Sequence, residues 1–457
     1  MSEFSTTIAA ISTAFKESAV GMVRISGSDA IEIANKVFVS KSGKSVTDLD
    51  GYSALFGNVF DSKGTFDTAI ALVFRAPKSY TGENVVEITV HGGLYVTKRL
   101  LDAVISAGAR LATAGEFTKR AYLNGKINLS QAEAVSAIIS ANGFEEAKAA
   151  LSASEGRLYK QSEEIKEKII TLLGQISAYC DYPDEDIVDV SRETLTEKLD
   201  EINAVLEEML QNFNKGRVIA GGIDTAIVGS PNVGKSTIMN LLSGFEKSIV
   251  TDIPGTTRDV VEDTVSVGEF TLRLCDTAGI RETADTVESV GIERAQKRLE
   301  SASLILAVFD NSRKLQNEDL SLIDSLRDKK VLAVINKDDL ESEIDQNKIL
   351  ESFERVVRIS AKQNEGANAL RDAICAALSE YKLSENAAVL INQRQYDCAL
   401  SAQREIKNAL SQLESGQHAD LIGINLEDAL RSLNELMGQD ATEEIVNEIF
   451  SKFCVGK

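Results

Sequence analysis

The octapeptide GSPNVGKS, Gly229 to Ser236, sets a lysine and a hydroxyl side by side at the end of a glycine-rich loop. The spacing fits GxxxxGK[ST], a phosphate cradle. Backbone N–H groups of Asn232, Val233, Gly234 and the first helical residues turn toward phosphate oxygens at a helix N-terminus. Lys235 then reaches the β and γ phosphates, Ser236 ligates Mg²⁺, and Thr237 closes the first turn. The apolar run TAIVG precedes the loop and the helical text TIMNLLSG follows it. A chance match somewhere in such a chain has a probability on the order of a few per cent, so companion motifs decide the matter.

Three companions follow in order: DTAG (Asp276, Thr277, Ala278, Gly279) ends the run FTLRLCD, NKDD (Asn336 to Asp339, with Lys337) ends KVLAVIN, and SAK (Ser360, Ala361, Lys362) ends VVRIS. Each falls at the carboxyl end of a predicted strand, the edge at which open parallel sheets bind ligands. This order resembles the GTPase superfamily, which implies that Asn336 and Asp339 recognise guanine with Ala361 beside the base. Asp339 accepts from the guanine ring N–H and amino group, a donor pattern adenine lacks, so GTP is expected over ATP. The switch segment TDIPGTTRD supplies Thr251, Asp252, Ile253, Pro254, Gly255, Thr256 and Thr257. By resemblance Thr257 joins Ser236 as a Mg²⁺ ligand; the alternative is a plain turn after Pro254 and Gly255.

These loops need a sheet to position them. Five apolar β-type runs separated by helical text predict a doubly wound α/β domain over residues 217–382. Before it, 1–120 mixes period-two runs (GMVRIS, AIALVFRA, NVVEITVHGG) with helical patterns, the mark of an α+β domain. Residues 121–216 and 383–457 carry apolar residues at spacings of three and four. The economical interpretation is one all-α domain interrupted by the inserted α/β domain, with two separate bundles as the alternative.

A chain of 457 residues with 43% hydrophobic content has material for several cores. Its five cysteines are scattered and unpaired in pattern, which argues against a disulfide scaffold or zinc site. With 70 acidic against 49 basic side chains the net charge is −21, which disfavours broad nucleic-acid binding. RNA contact is expected to be local or shared with a partner. The N-terminus lacks a signal pattern and no apolar run reaches about 18 residues, so no membrane association and a cytoplasmic location are expected.

After DTAG stands Ile280, where Ras-like proteins place a water-orienting glutamine. An apolar side chain cannot polarise water, so another group must. VGMVRISG, SYTGENVVEITVHGG, AGEFTKRAYLNGKINLSQAEAV, DYPDED, VTDIPGTTRD, DTAGIR with VESVGIERA, and the final FCVGK together resemble one family closely. It is the tRNA uridine modification GTPases known as MnmE or TrmE. The resemblance covers nearly the whole chain. It implies a K⁺ ion held by Asn232, Thr251, Ile253 and Thr256 in place of an arginine finger, and Glu288 as the residue that positions water. On the residues alone, Glu288 reads instead as a solvated helix-face carboxylate.

The resemblance further implies a homodimer, a 5-formyl-tetrahydrofolate-type cofactor held in the first domain by Arg24, Glu87, Lys126 and Lys457, and a heterotetramer with a FAD protein of the MnmG (GidA) type. The joint output is a carboxymethylaminomethyl or aminomethyl group on the wobble uridine of certain tRNAs. AFKESAVG stands where the family carries a Pro-Gly-rich stretch. Cys454 is expected beside the folate site as a nucleophile or a positioning residue; a free cysteine otherwise reads as packing. A regulatory or ribosome-assembly GTPase without base chemistry is the rival reading, and it requires neither the first domain nor the FCVGK tail.

Overall fold

Apolar residues at every second position of VGMVRIS and VVEITVH put Val23, Ile25, Val86, Ile88 and Val90 on one face and leave Arg24 and Glu87 on the other. The computed structural model describes residues 6–141, 143–181, 191–220, 222–244, 263–275, 302–327, 329–382 and 387–457. It divides into two compact units, one of Met1–Ser136, Ser154–Val190 and Ser411–Lys457, the other of Ala137–Ala153 and Ser191–Leu410.

The first unit contains β1 (Ile8–Ile11), β2 (Val20–Ser26), β3 (Phe38–Ser40), β4 (Ser53–Asp61), β5 (Gly64–Phe74), β6 (Val85–His91) and β7 (Arg110–Leu111), in the sheet order β3-β4-β5-β6-β2-β1-β7. Helices α1 (Ala30–Val37) and α2 (Leu94–Ser106) bury Ile31, Ile33, Leu100 and Val104 against its apolar face. A Cβ added to Gly21 would lie 2.1 Å from Thr97 Oγ1, so the glycine lets α2 approach β2. Helix α3 (Glu116–Leu123) follows, anchored by fully buried Arg120, which donates to Glu83, Glu116 and the Thr6 carbonyl.

The long helical text resolves into α4 (Leu129–Ser140), α5 (Phe144–Ser154), α6 (Arg157–Asp181) and α7 (Arg192–Ala220). Gly156, at φ +78°, separates α5 from α6, in the left-handed conformation glycine favours.

In the second unit, β8 (Ile223–Val228), β9 (Asp263–Val267), β10 (Phe270–Cys275), β11 (Leu304–Asp310), β12 (Val331–Asn336) and β13 (Arg355–Arg358) form a sheet ordered β13-β12-β11-β8-β10-β9. All its pairs are parallel except β9 with β10. Strand β11 is buried at every position, as a central parallel strand covered on both faces must be. Helices α8 (Lys235–Ser243), α9 (Asn317–Ser325), α10 (Gln346–Ser352) and α11 (Ala367–Ala377) fill the connections. Two clusters, around Leu306 and Val334 and around Phe309 and Ile335, are the cores of its opposite faces. The five expected strands are present; β9, in DTVSV, is an additional edge strand.

Helices α12 (Gln393–Glu414), α13 (Ala419–Met437) and α14 (Glu443–Ser451) complete the chain. Within the first unit α6 packs along α13, and both helices bury apolar residues, Ile165, Ile169 and Leu172 on one and Ile422, Leu426 and Leu433 on the other. Thr442 caps α14 by accepting from the Ile445 N–H, and Glu443 and Glu444 complement its dipole. Its apolar side buries Val446 and Phe450, which with Phe453 pack on Leu129 and Ala132. No helix among the described residues is long and apolar enough to cross a membrane.

Candidate functional site

The phosphate loop leaves the carboxyl end of β8 and enters α8 at Lys235. Gly229 and Gly234 both have positive φ, +155° and +100°, and neither position admits a Cβ. One would lie 2.4 Å from Val308 O, the other 2.2 Å from Asn336 Nδ2. Asn232, between them, is exposed and left-handed at φ 63°, a conformation Asn tolerates. Lys235 curls over the loop, its Nζ donating to Gly229 O at 2.7 Å and Ser230 O at 2.9 Å. The ammonium therefore lies against the loop's own carbonyls. Ser236 and Thr237 are exposed in the first turn of α8.

Asn336 is buried and joins two loops. Its Nδ2 donates to Val233 O at 2.9 Å, and its Oδ1 accepts from Ala361 N at 3.1 Å. The residue expected to recognise guanine thus also ties the phosphate loop to the SAK loop. Asp339 is exposed; its Oδ1 accepts from Ser360 Oγ at 2.6 Å, which orients the carboxylate. Lys337, left-handed at φ 65°, pairs with Asp310 at 2.5 Å. Burial pushes the Asp310 carboxyl up, but hydrogen bonds from Lys337 and Ser312 outweigh it and hold it below the ordinary value. Lys362 is exposed at the same edge.

One tie was not legible in the motifs. Ser230 Oγ donates to Asp319 Oδ1 at 2.5 Å, while Asp319 Oδ2 accepts from Arg313 and the Gln316 N–H at the start of α9. Burial raises the Asp319 carboxyl and these donors, Ser230 foremost, bring it below the ordinary range. Thr251, Asp252, Ile253, Pro254, Gly255, Thr256, Thr257, Asp276, Thr277, Ala278, Gly279 and Glu288, all expected at the nucleotide, lie outside the described residues.

A second cluster lies on the polar face of the first sheet. Antiparallel register sets Arg24 of β2 opposite Glu87 of β6, and Arg24 Nε donates to Glu87 Oε1 at 2.8 Å. The guanidinium stands over the rings of Tyr80 and Phe117, at 5.6 and 5.7 Å from their centroids. Sequence alone did not single out these two aromatics, although both lie in family-like segments, SYTGEN and AGEFTKR. Lys126 is exposed beside the Tyr80 loop, its Nζ donating to Pro77 O at 3.1 Å.

The chain's last residues run into this cluster. Ala114 and Val455 form an antiparallel bridge, Phe117 N donates to Lys457 O at 3.2 Å, and Gly456 O accepts from Ser12 Oγ at 3.0 Å and Arg24 Nη1 at 3.2 Å. Two glycines permit this approach: a Cβ on Gly115 would lie 2.5 Å from Phe450 O, and one on Gly456 would lie 2.2 Å from Ile11 O. Arg24, Glu87 and the backbone of Lys457 are thereby brought together. The Cys454 side chain is exposed, and its carbonyl accepts from Lys457 N. Lys452 pairs with Glu448, at 2.8 Å.

A strand, a phosphate loop and a helix N-terminus, tied through Asn336 to a base-side loop, define a P-loop nucleotide-binding protein of the GTPase class. Family models for the MnmE helical domain and for the GTP-binding protein TrmE N-terminus match residues 129–454 and 7–126. The chain is 40% identical over 454 residues to the tRNA modification GTPase MnmE of Clostridioides difficile (strain 630), covering 99% of each chain. To the protein of the same name from Acetivibrio thermocellus it is 39% identical over 459 residues, again covering 99% of each. Among solved structures it is similar to the FeoB G-domain from Methanococcus jannaschii, with 25% identity, a TM-score of 0.26, and coverage of 34% of this chain and 97% of that one. The chain belongs to the MnmE family of tRNA modification GTPases.

Proposed function

We propose that this GTPase of tRNA modification hydrolyses GTP with K⁺ and Mg²⁺ as a cytoplasmic homodimer. With a FAD protein of the MnmG (GidA) type it then adds an aminomethyl or carboxymethylaminomethyl group to the wobble uridine of certain tRNAs. The carbon comes from a 5-formyl-tetrahydrofolate-type cofactor. The domains that divide this work are 1–120 for folate and dimerisation, 121–216 with 383–457 for the helical scaffold, and 217–382 for GTP.

The observation that carries the reading is the seating of Cys454–Lys457 against Arg24, because a plain nucleotide switch has no use for it. The donor set there suits a folate. Glu87 can accept from a pterin's amino and ring N–H groups, with Arg24, tied to it at 2.8 Å, at the same end of the cofactor, and Lys126 and Lys457 can pair with the carboxylates of its glutamate. Bound there, the cofactor would supply the one-carbon unit. Arg24, held by Glu87 and the two rings, would orient it, and the exposed thiol of Cys454 would face the reacting uridine.

At the nucleotide, Lys235 would exchange its loop carbonyls for phosphate oxygens and Asp339, oriented by Ser360, would select guanine. Ser236 with Thr257 would hold Mg²⁺ through hydroxyl oxygens, hard donors suited to it. Asn232, Thr251, Ile253 and Thr256 would hold K⁺, which would set positive charge against the negative charge developing on the phosphates. Glu288 would position the attacking water.

Glu288→Ala is expected to keep GTP affinity and to lower potassium-stimulated turnover about 100-fold or more, the range of a lost general base. Steady-state hydrolysis in K⁺ against Na⁺, together with nucleotide binding, measures this. Wild-type turnover in the variant would remove Glu288 from the mechanism, and equal rates in the two salts would remove K⁺.

A further inference from the structure

Away from the nucleotide, the unit of Ala137–Ala153 and Ser191–Leu410 encloses a cavity of about 280 Å³ whose apolar wall is made by Ala149, Ala150, Phe213, Val389 and Leu390. Its walls are fixed by the chain on both sides of the inserted sheet. Ser152 Oγ donates to Ala387 O at 3.0 Å and pins the segment before α12 beside α5. The Phe213 ring of α7 packs on Tyr396 of α12 with centroids 4.8 Å apart.

Glu145 stands one helical turn before Ala149, which puts its carboxylate on the same face of α5 and into this apolar setting. The side chain is 2% exposed, and Oε1 lies 3.9 Å from Lys148 Nζ. Oε2 is buried and accepts no hydrogen bond from the described residues. An ionised oxygen in that position forfeits its hydration and has no donor in return, which is costly unless something else supplies one. GTP chemistry at the phosphate loop has no use for it.

We propose that this cavity binds a small organic cation, a protonated primary amine on a compact apolar or aromatic body. The ammonium donates to Glu145 Oε2, and the body rests on Phe213, Val389 and the two alanines. Small side chains at Ala149 and Ala150 are what leave room for it. Glu146 also lines the cavity and adds to its negative character, whereas Arg217, the cation that lines it, is exposed to solvent.

Calorimetric titration of the full-length chain with 2-phenylethylammonium, neutral 2-phenylethanol and anionic 3-phenylpropanoate tests this. The ammonium is expected to bind about tenfold tighter than either analogue, as a charge-assisted hydrogen bond to a buried carboxylate warrants. Glu145→Gln is expected to abolish that preference while GTP turnover and the urea midpoint stay at wild-type values. Ala149→Leu, which fills the cavity, is expected to exclude all three. Absence of ammonium binding to the wild-type chain, equal or tighter binding of the alcohol or the anion, or an unchanged preference in Glu145→Gln would overturn the proposal. The wild-type comparison decides by itself if a variant fails to fold.

Discussion

Gly456 has a φ of +102°, and a Cβ there would lie 2.2 Å from the Ile11 carbonyl of β1. Gly456→Ala therefore has to displace backbone, not the end of a flexible side chain. The tail is expected to lift from the sheet and release the Phe117 N–H from the Lys457 carbonyl. Amide exchange at Phe117 should accelerate about tenfold or more, the scale of losing one net hydrogen bond's protection; an unchanged rate would mean that the tail does not depend on this approach. Cys454 is exposed at the same place. With serine there the backbone bridge is kept and the nucleophilic sulfur is lost, so Cys454→Ser is expected to retain GTP turnover and lose tRNA modification. Nucleoside analysis with that variant checks this, and full modification would leave the thiol only a structural part.

Helix α9 reaches the phosphate loop through Asp319, the acceptor for Ser230, Arg313 and the Gln316 N–H. Its carboxyl is depressed in the folded state, burial being outweighed by those donors. The sign follows: a depressed folded value makes this contribution complete above the ordinary aspartate value of about 4, and the contribution is lost as pH falls through the depressed value. Asp319→Asn should lower stability at neutral pH by about 1–3 kcal/mol and flatten the acid-side fall. Urea unfolding from about pH 7 to about pH 3 measures both; a slope equal to wild type would mean that Asp319 is not part of the acid-sensitive network. Elements of this kind differ in how well a sequence shows them. The apolar runs LILAVFD and KVLAVIN announce β11 and β12 because both faces are buried. DTVSV, five residues with only Val265 and Val267 apolar, is too short a pattern to announce β9. The Asn336 and Asp319 ties were equally hidden, since each joins loops about 90 or more residues apart through one side chain.

At the scale of the whole chain, the layout of an α+β domain, helices and an inserted α/β sheet was legible because each part has its own hydrophobic period. The seating of the tail on the first sheet was not, because a contact across 432 residues, from Arg24 to Gly456, leaves no local pattern. The FCVGK text marked the segment, and two glycines with an arginine gave it a place. That this placement serves the chemistry on the base is the central claim. The most direct test is mass analysis of tRNA nucleosides from a strain lacking this chain and from the same strain complemented with it. The account predicts loss of the aminomethyl-type modification at the wobble uridine and its return on complementation; a wobble uridine modified to the same extent in both strains would contradict it.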